Sequence, residues 1–277
     1  VKALLRTWEE HLASDEIGVR LSIQSVRLTG LLGNLRLRAN FDHVLHLELS
    51  DTQLLDNDTP LLDSFPNLIS LHLRDNQLTR MPQAIQNMPA LTHLNLESNP
   101  IAWDAGSLRQ LANRSHLRQL FLGDNRQLVR APDLSRLPHL EALSLNNTAI
   151  SEWPAGLFDQ PRSANFFLDV RNTPINTLPQ FLPWQAQARV LARARLDRNH
   201  RSPANEQLLV SYRLEAGLDP NRSYPPRGDA SFWLQNEGEE HVPWMLQLWQ
   251  DIEEEHGSQG FFEVIKSLEP SALVEED

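Results

Sequence analysis

Cysteine is absent from the 277 residues, which excludes disulfides, thiolate zinc sites and cysteine nucleophiles anywhere within them. Long apolar runs are absent too. No stretch of 18 or more apolar residues offers a membrane span, and none is expected. The chain opens at Val1 with no methionine and no charged-then-apolar leader, so it reads as a piece trimmed from a longer protein. A basic surplus is also missing. The net charge of −11 lies in residues 235–277, where twelve Asp or Glu face one Lys, while the remainder holds 24 acidic and 24 basic residues. A balanced body lacks the basic face that displaces counterions, so no nucleic-acid partner is expected. The compositional change near 235 marks a domain boundary, and an acidic tail is by default a solvated helix face. Catalytic signatures are missing as well: there is no G-x-S-x-G, G-x-x-x-x-G-K-[ST], H-E-x-x-H or G-x-G-x-x-G. No catalytic residue, metal or cofactor is expected in this chain.

What is present is a leucine pattern. Leu68, Leu71, Leu73, Asn76 and Leu78 follow the spacing L-x-x-L-x-L-x-x-N-x-L. It recurs as Leu91, Leu94, Leu96, Asn99 and Ile101; as Leu117, Leu120, Leu122 and Asn125; and as Leu140, Leu143, Leu145, Thr148 and Ile150. Weaker copies flank these at Val44–Leu54 and Leu168–Ile175, and a degraded seventh reads Leu191, Ala194, Leu196 and Asn199. The copies are spaced by 23 to 26 residues. Leucines two apart, such as Leu71 and Leu73, leave a short strand on the same face. One such strand cannot bury its leucines alone, but stacked copies make a parallel sheet with a continuous core behind it. The Asn suits the turn leaving each strand, where a short amide bonds neighbouring backbone. The pattern resembles the leucine-rich repeat family over residues 41–201. The implied fold class is α/β, a solenoid with a parallel concave sheet and helical caps at both ends.

Segments between the strands read consistently with this. Met81, Ile85 and Met88 point inward from short helical turns bounded by prolines, and Asp104 is placed to cap a helix carrying Leu108 and Leu111. Residues 1–40 are assigned to an N-terminal helical cap, with Leu4, Leu5, Trp8 and Leu12 at helical spacing. Residues 202–235 are assigned to a C-terminal cap helix and linker. There Ser202 and Pro203 supply N-cap and first-turn chemistry ahead of Leu208, Leu209 and Tyr212.

The outward positions of successive strands form the candidate partner-binding surface: His72, Arg74, Asn95, Glu97, Phe121, Asn146, Phe167, Asp169 and Arg171. Phe121 and Phe167 are expected to face water with small Ala142 and Ser144 between them, a shallow depression suited to a partner's anchor residue. Arg74 beside Glu97 and Arg171 beside Asp197 read as ladder pairs on the sheet face. His46 and His93 share an outward column two repeats apart, roughly 10 Å, which metal–nitrogen bonds of about 2.1 Å cannot span.

Residues 236–277 depart from the leucine pattern. Met245, Leu248, Trp249 and Ile252 form one helical face ending near Gly257, and Ser258 caps a second helix with Phe261, Phe262, Ile265 and Leu268. Repeats followed by a cap helix and this pair resemble bacterial effectors with a C-terminal NEL ubiquitin-ligase domain, the matching positions being Trp249, Gly257, Ser258, Phe261, Phe262 and Leu268. The resemblance implies a truncated start of that domain and a substrate-recognition region of a ligase. Such a ligase is secreted by a bacterium and acts in the host cytoplasm. It also implies a host protein substrate on the concave face and a ubiquitin-conjugating enzyme engaged by the missing C-terminal domain. NEL ligases take ubiquitin onto a cysteine in a Cys-x-Asp loop, and this chain has none, so by itself it is expected to be inactive. The competing expectation is a non-enzymatic repeat scaffold that binds one protein partner.

Overall fold

The structure is a computed structural model and describes residues 18–28, 41–103, 111, 114–163, 166–196 and 202–218. Seven short strands follow one another in the sheet in chain order: β1 (Val19–Ser22), β2 (Val44–Glu48), β3 (Ser70–His72), β4 (His93–Asn95), β5 (Gln119–Phe121), β6 (Ala142–Ser144) and β7 (Phe167–Asp169). All pairings are parallel, and the central leucines align across the sheet as Leu21, Leu47, Leu71, Leu94, Leu120, Leu143 and Leu168. Those seven are buried. Each fully buried leucine contributes about 1.5–3 kcal/mol of transfer free energy. This is the leucine-rich-repeat solenoid that the spacing implies.

Each strand from β2 to β7 leads into a turn held by a buried side chain. Asn76 Nδ2 donates to the carbonyls of Leu49, Leu73 and Arg74 at 2.8, 2.9 and 3.1 Å, and its Oδ1 accepts from the Leu54 amide at 2.9 Å. Asn99 and Asn125 repeat the arrangement. Thr148 and Thr173 make one such bond each, to Leu145 and Val170, both 2.7 Å. The residue just before each of these, and before the equivalent Thr52, has left-handed backbone: Asp51, Asp75, Ser98, Asp124, Asn147 and Asn172, with φ between 52° and 59°. Short polar side chains tolerate that region better than bulkier ones do.

Behind the sheet, 3-10 helices Asp56–Ser64 and Gln83–Asn87 stack on one another. Met81, Ile85 and Met88 are buried there, as is Leu111; Asp104 and Leu108 lie outside the described residues. At the far end α1 (Ala186–Arg193) packs on α2 (Pro203–Glu215). Ser202 Oγ accepts from the Asn205 amide at 3.3 Å. Tyr212 is fully buried, and its hydroxyl receives the Phe181 amide at 2.7 Å.

Two sequence expectations require correction. The segment assigned to the N-terminal cap contains a strand: β1 pairs with β2, and Leu21 and Leu28 join the core. The copy placed at Leu191–Asn199 is not a repeat of the same kind. Leu191 and Arg193 belong to α1, and among the described residues of this copy Arg195 alone reaches the sheet, through a single bridge to Asp169. The helices read at residues 1–16 and within 236–277 lie outside the described residues.

Candidate functional site, a polar groove on the concave sheet

Side chains alternate across a strand, so the residues flanking each core leucine point away from the core. Across β2 to β7 they build one open groove of about 770 Å³. All nine candidate residues line it: His72, Arg74, Asn95, Glu97, Phe121, Asn146, Phe167, Asp169 and Arg171. Glu48, Ser50, Ser144 and Arg195 join them, together with Asp51, Asp75 and Asp124 from the left-handed turns.

At one end Asp169 is buried and held by arginines. Arg171 grips it in a fork, Nε to Oδ1 at 3.0 Å and Nη2 to Oδ2 at 2.7 Å, while Arg195 Nη1 lies 3.6 Å from Oδ2. The Arg195 guanidinium also sits 5.0 Å from the centre of the Phe167 ring, a cation–π geometry. Asp197 lies outside the described residues.

In the middle, Glu97 Oε1 accepts from Ser144 Oγ at 3.1 Å, and Oε2 accepts from Asn95 Nδ2 at 3.3 Å. Burial pushes the Glu97 carboxyl above its ordinary range, opposed by the Ser144 bond and the Arg74 charge and reinforced by Asp124. Ser144 Oγ is also 2.5 Å from Asn146 Oδ1. One hydroxyl proton serves one acceptor at a time. The Ser144 hydroxyl therefore serves either Glu97 Oε1 or Asn146 Oδ1. Arg74 and Glu97 are coupled through charge, but the Arg74 Nε donates to Asp75 at 2.9 Å rather than forming the expected ladder pair.

At the other end His72 Nδ1 lies 3.6 Å from Glu48 Oε2, and its Nε2 contacts Ser70 Oγ at 2.8 Å. Burial lowers the His72 pKa, Glu48 opposes this, and Arg20 and His46 add to it. His93 is lowered by burial and by its histidine neighbours His72 and His46. His46 and His93 sit on either side of Ser70 in one row. Among the described residues no group of three or more His, Asp or Glu is placed to hold a metal ion.

The phenylalanines differ from expectation. Phe121 keeps only 8% of its surface exposed, because its in-register neighbours Asn95 and Ser144 flank it on strands about 4.8 Å away. Phe167 is half-buried under Arg195. The depression between them is polar rather than a bare apolar cup.

Residues 42–101 match the family described as Leucine rich repeat. An 86-residue stretch is 38% identical to Leucine-rich repeat-containing protein 23 of Bos taurus, covering 30% of this chain and 25% of that protein. Tsukushi of Gallus gallus is 35% identical over 104 residues, 37% of this chain and 27% of its own length. The chain therefore spans about a quarter of the length of these relatives. Among solved structures, an internalin from Listeria monocytogenes superposes with a TM-score of 0.48 at 15% identity, covering 73% of this chain and 53% of that one. The Arabidopsis receptor kinase HAESA, solved with the peptide hormone IDA and the co-receptor SERK1, gives 0.45 at 21% identity over 66% of this chain and 34% of that one. The in-register parallel sheet and the matched residues 42–101 define the class by fold, a leucine-rich-repeat solenoid. No helix among the described residues is long and apolar enough to cross a membrane.

Proposed function

We propose that the repeats bind a protein partner in the concave groove through His72, Arg74, Asn95, Glu97, Phe121, Asn146, Phe167, Asp169 and Arg171. The carrying observation is the groove itself: one continuous open channel, varied in chemistry from strand to strand and set on a rigid hydrogen-bonded ladder. A preorganised surface with a few polar groups and an aromatic wall costs little ordering on binding. The test is a photo-cross-linking residue placed at Asn146 in the groove or at Asp63 on the opposite layer. Adducts with a partner protein from Asn146 alone support the reading; equal adducts from both positions overturn it.

A finer reading rests on Trp249, Gly257, Ser258, Phe261, Phe262 and Leu268 and their place after the repeats. In it the partner is a host protein, and the chain is the recognition arm of a NEL-type ubiquitin ligase secreted by a bacterium into the host cytoplasm. The cysteine and the surface for the ubiquitin-conjugating enzyme then lie beyond Asp277. The complete gene product, mixed with a ubiquitin-charged conjugating enzyme, is expected to form a reducible ubiquitin adduct that this chain does not form. No adduct from the folded full-length protein, tested with substrate present, leaves the non-enzymatic scaffold.

A further inference from the structure

Six carboxylates line the groove, Glu48, Asp51, Asp75, Glu97, Asp124 and Asp169, against three guanidiniums, Arg74, Arg171 and Arg195. The guanidiniums are engaged locally. Arg171 and Arg195 close on Asp169, and Arg74 is tied to Asp75. Among the described residues no guanidinium or ammonium lies within ion-pair distance of Glu97 or Asp124. These two carboxylates are close enough to repel each other. His72 does not make up the deficit at neutral pH, since burial holds its imidazole in the neutral form. Among the described residues the centre of the groove therefore holds more negative than positive charge, with Arg74 acting on Glu97 through its charge and not through an ion-pair contact.

The shape there is also specific. Gly123 stands between Glu97 and Asn146 on the sheet face, and a Cβ at that position would run into the Asn146 side chain. The Asn146 amide lies over Gly123 in that space, and Phe121 and Ser144 line the groove beside it. An apolar wall beside a partly desolvated carboxylate suits a side chain with an aliphatic stem and a charged head. The same groove holds such an arrangement within the chain itself: Arg195 lies over Phe167 with its head beside Asp169.

Resting on the reading of the groove as a protein-binding surface, the geometry points to a partner segment that presents an arginine or lysine, its stem along Phe121 and its cation between Glu97 and Asp124. A partner's cation takes the role at the centre that Arg195 fills at the end. The carboxylates Glu48 and Asp51 extend the same charge preference towards β2, so a segment with further basic residues on that side gains affinity.

The test uses the whole chain and hexapeptide pools that share five randomised positions and differ in one fixed residue: Arg, Lys, Gln or Glu. A close charge pair is expected to favour the Arg and Lys pools over the Gln pool by roughly tenfold or more. That preference is expected to shrink as salt is raised. It is expected to be lost in the Glu97→Gln, Asp124→Asn double variant and kept in Glu141→Gln, a carboxylate outside the groove. A preference for the Glu pool, or none among the four, overturns the proposal on the unaltered protein, whether or not the variants fold. A preference that survives in a double variant of unchanged melting temperature overturns the placement. Groove-specific cross-linking to a partner segment without basic residues overturns the cation and leaves the protein-binding surface standing.

Discussion

Ser144 Oγ lies 3.1 Å from Glu97 Oε1, although the strand between them, β5, separates the two. On the chain between them Gly123 has no side chain, and Asn146 lies where its Cβ would be. Gly123→Ala is expected to push the Asn146 side chain aside and break the run from Glu97 through Ser144 to Asn146. The group that must yield is the tip of a side chain, so the fold is expected to stand. Thermal melting should change little while affinity for a groove-bound partner falls roughly tenfold, the cost of a disturbed hydrogen bond to a charged group. A large drop in melting temperature would show the Gly123–Asn146 contact to be structural instead.

Phe121→Ala is expected to destabilise the domain by about 2–3 kcal/mol, below the usual 3–5 for a core phenylalanine because the space left opens on the groove. Phe167→Ala removes a half-buried ring and its contact with Arg195, at about 1 kcal/mol. Urea unfolding of both variants distinguishes the two positions. Equal losses would contradict the difference in burial.

The buried ladder side chains make unequal contributions. Asn125→Ala removes donors to the Leu96, Leu122 and Gly123 carbonyls and is expected to cost about 2–4 kcal/mol, since buried carbonyls are left without partners. Thr148→Ala removes one bond, to Leu145, at about 1 kcal/mol. Chemical denaturation that ranks the two in the opposite order would sink this account of the turns.

Asp169→Ala leaves Arg195, only 6% exposed, without the carboxylate that neutralises it. Losing one member of a buried pair costs about 3–5 kcal/mol. Replacing both, Asp169→Ala with Arg195→Met, is expected to recover part of that loss in the same unfolding measurement. A double variant weaker than the sum of the single ones would rule out charge as the cause.

Acid is expected to weaken the histidine end of the groove. His72 and His93 have pKa values below the ordinary 6.5 in the fold. The stability they contribute is therefore present above that value and is lost as pH falls through it towards the lowered ones. Glu97, raised by burial, acts with the opposite sign: its protonation favours the fold at low pH, and that gain is lost as pH rises through its raised value. Comparing His72→Gln/His93→Gln with the unaltered protein between about pH 7.5 and 5.5 cancels the Glu97 contribution. The double variant should lose less melting temperature over this interval. Identical losses would remove the histidines from the explanation.

The strands from Val44 onward were legible because each position has a geometric duty: leucines two apart face the core, and the Asn or Thr closes the turn. β1 was not, because its copy places Val26 where the others have Asn or Thr, and half of Val26 is exposed. The false copy near Leu191 has the leucines, yet its α1 closes the stack instead of extending it. The groove's outward positions follow from strand alternation. Asp51, Asp75 and Asp124 did not, because a left-handed backbone step turns them onto the rim. The burial of Phe121 was hidden for a related reason: it depends on neighbours one strand away, 23 to 26 residues distant in sequence.

The ladder's strict chain order has a mechanical side. Among the described residues each strand pairs with its neighbours in chain order, so the backbone ladder is held turn to turn. A chain drawn from one end gives way a turn at a time, each turn releasing some 24 residues, or roughly 80 Å of extended polypeptide. Such a domain is stiff across its groove and yields in small steps along its length.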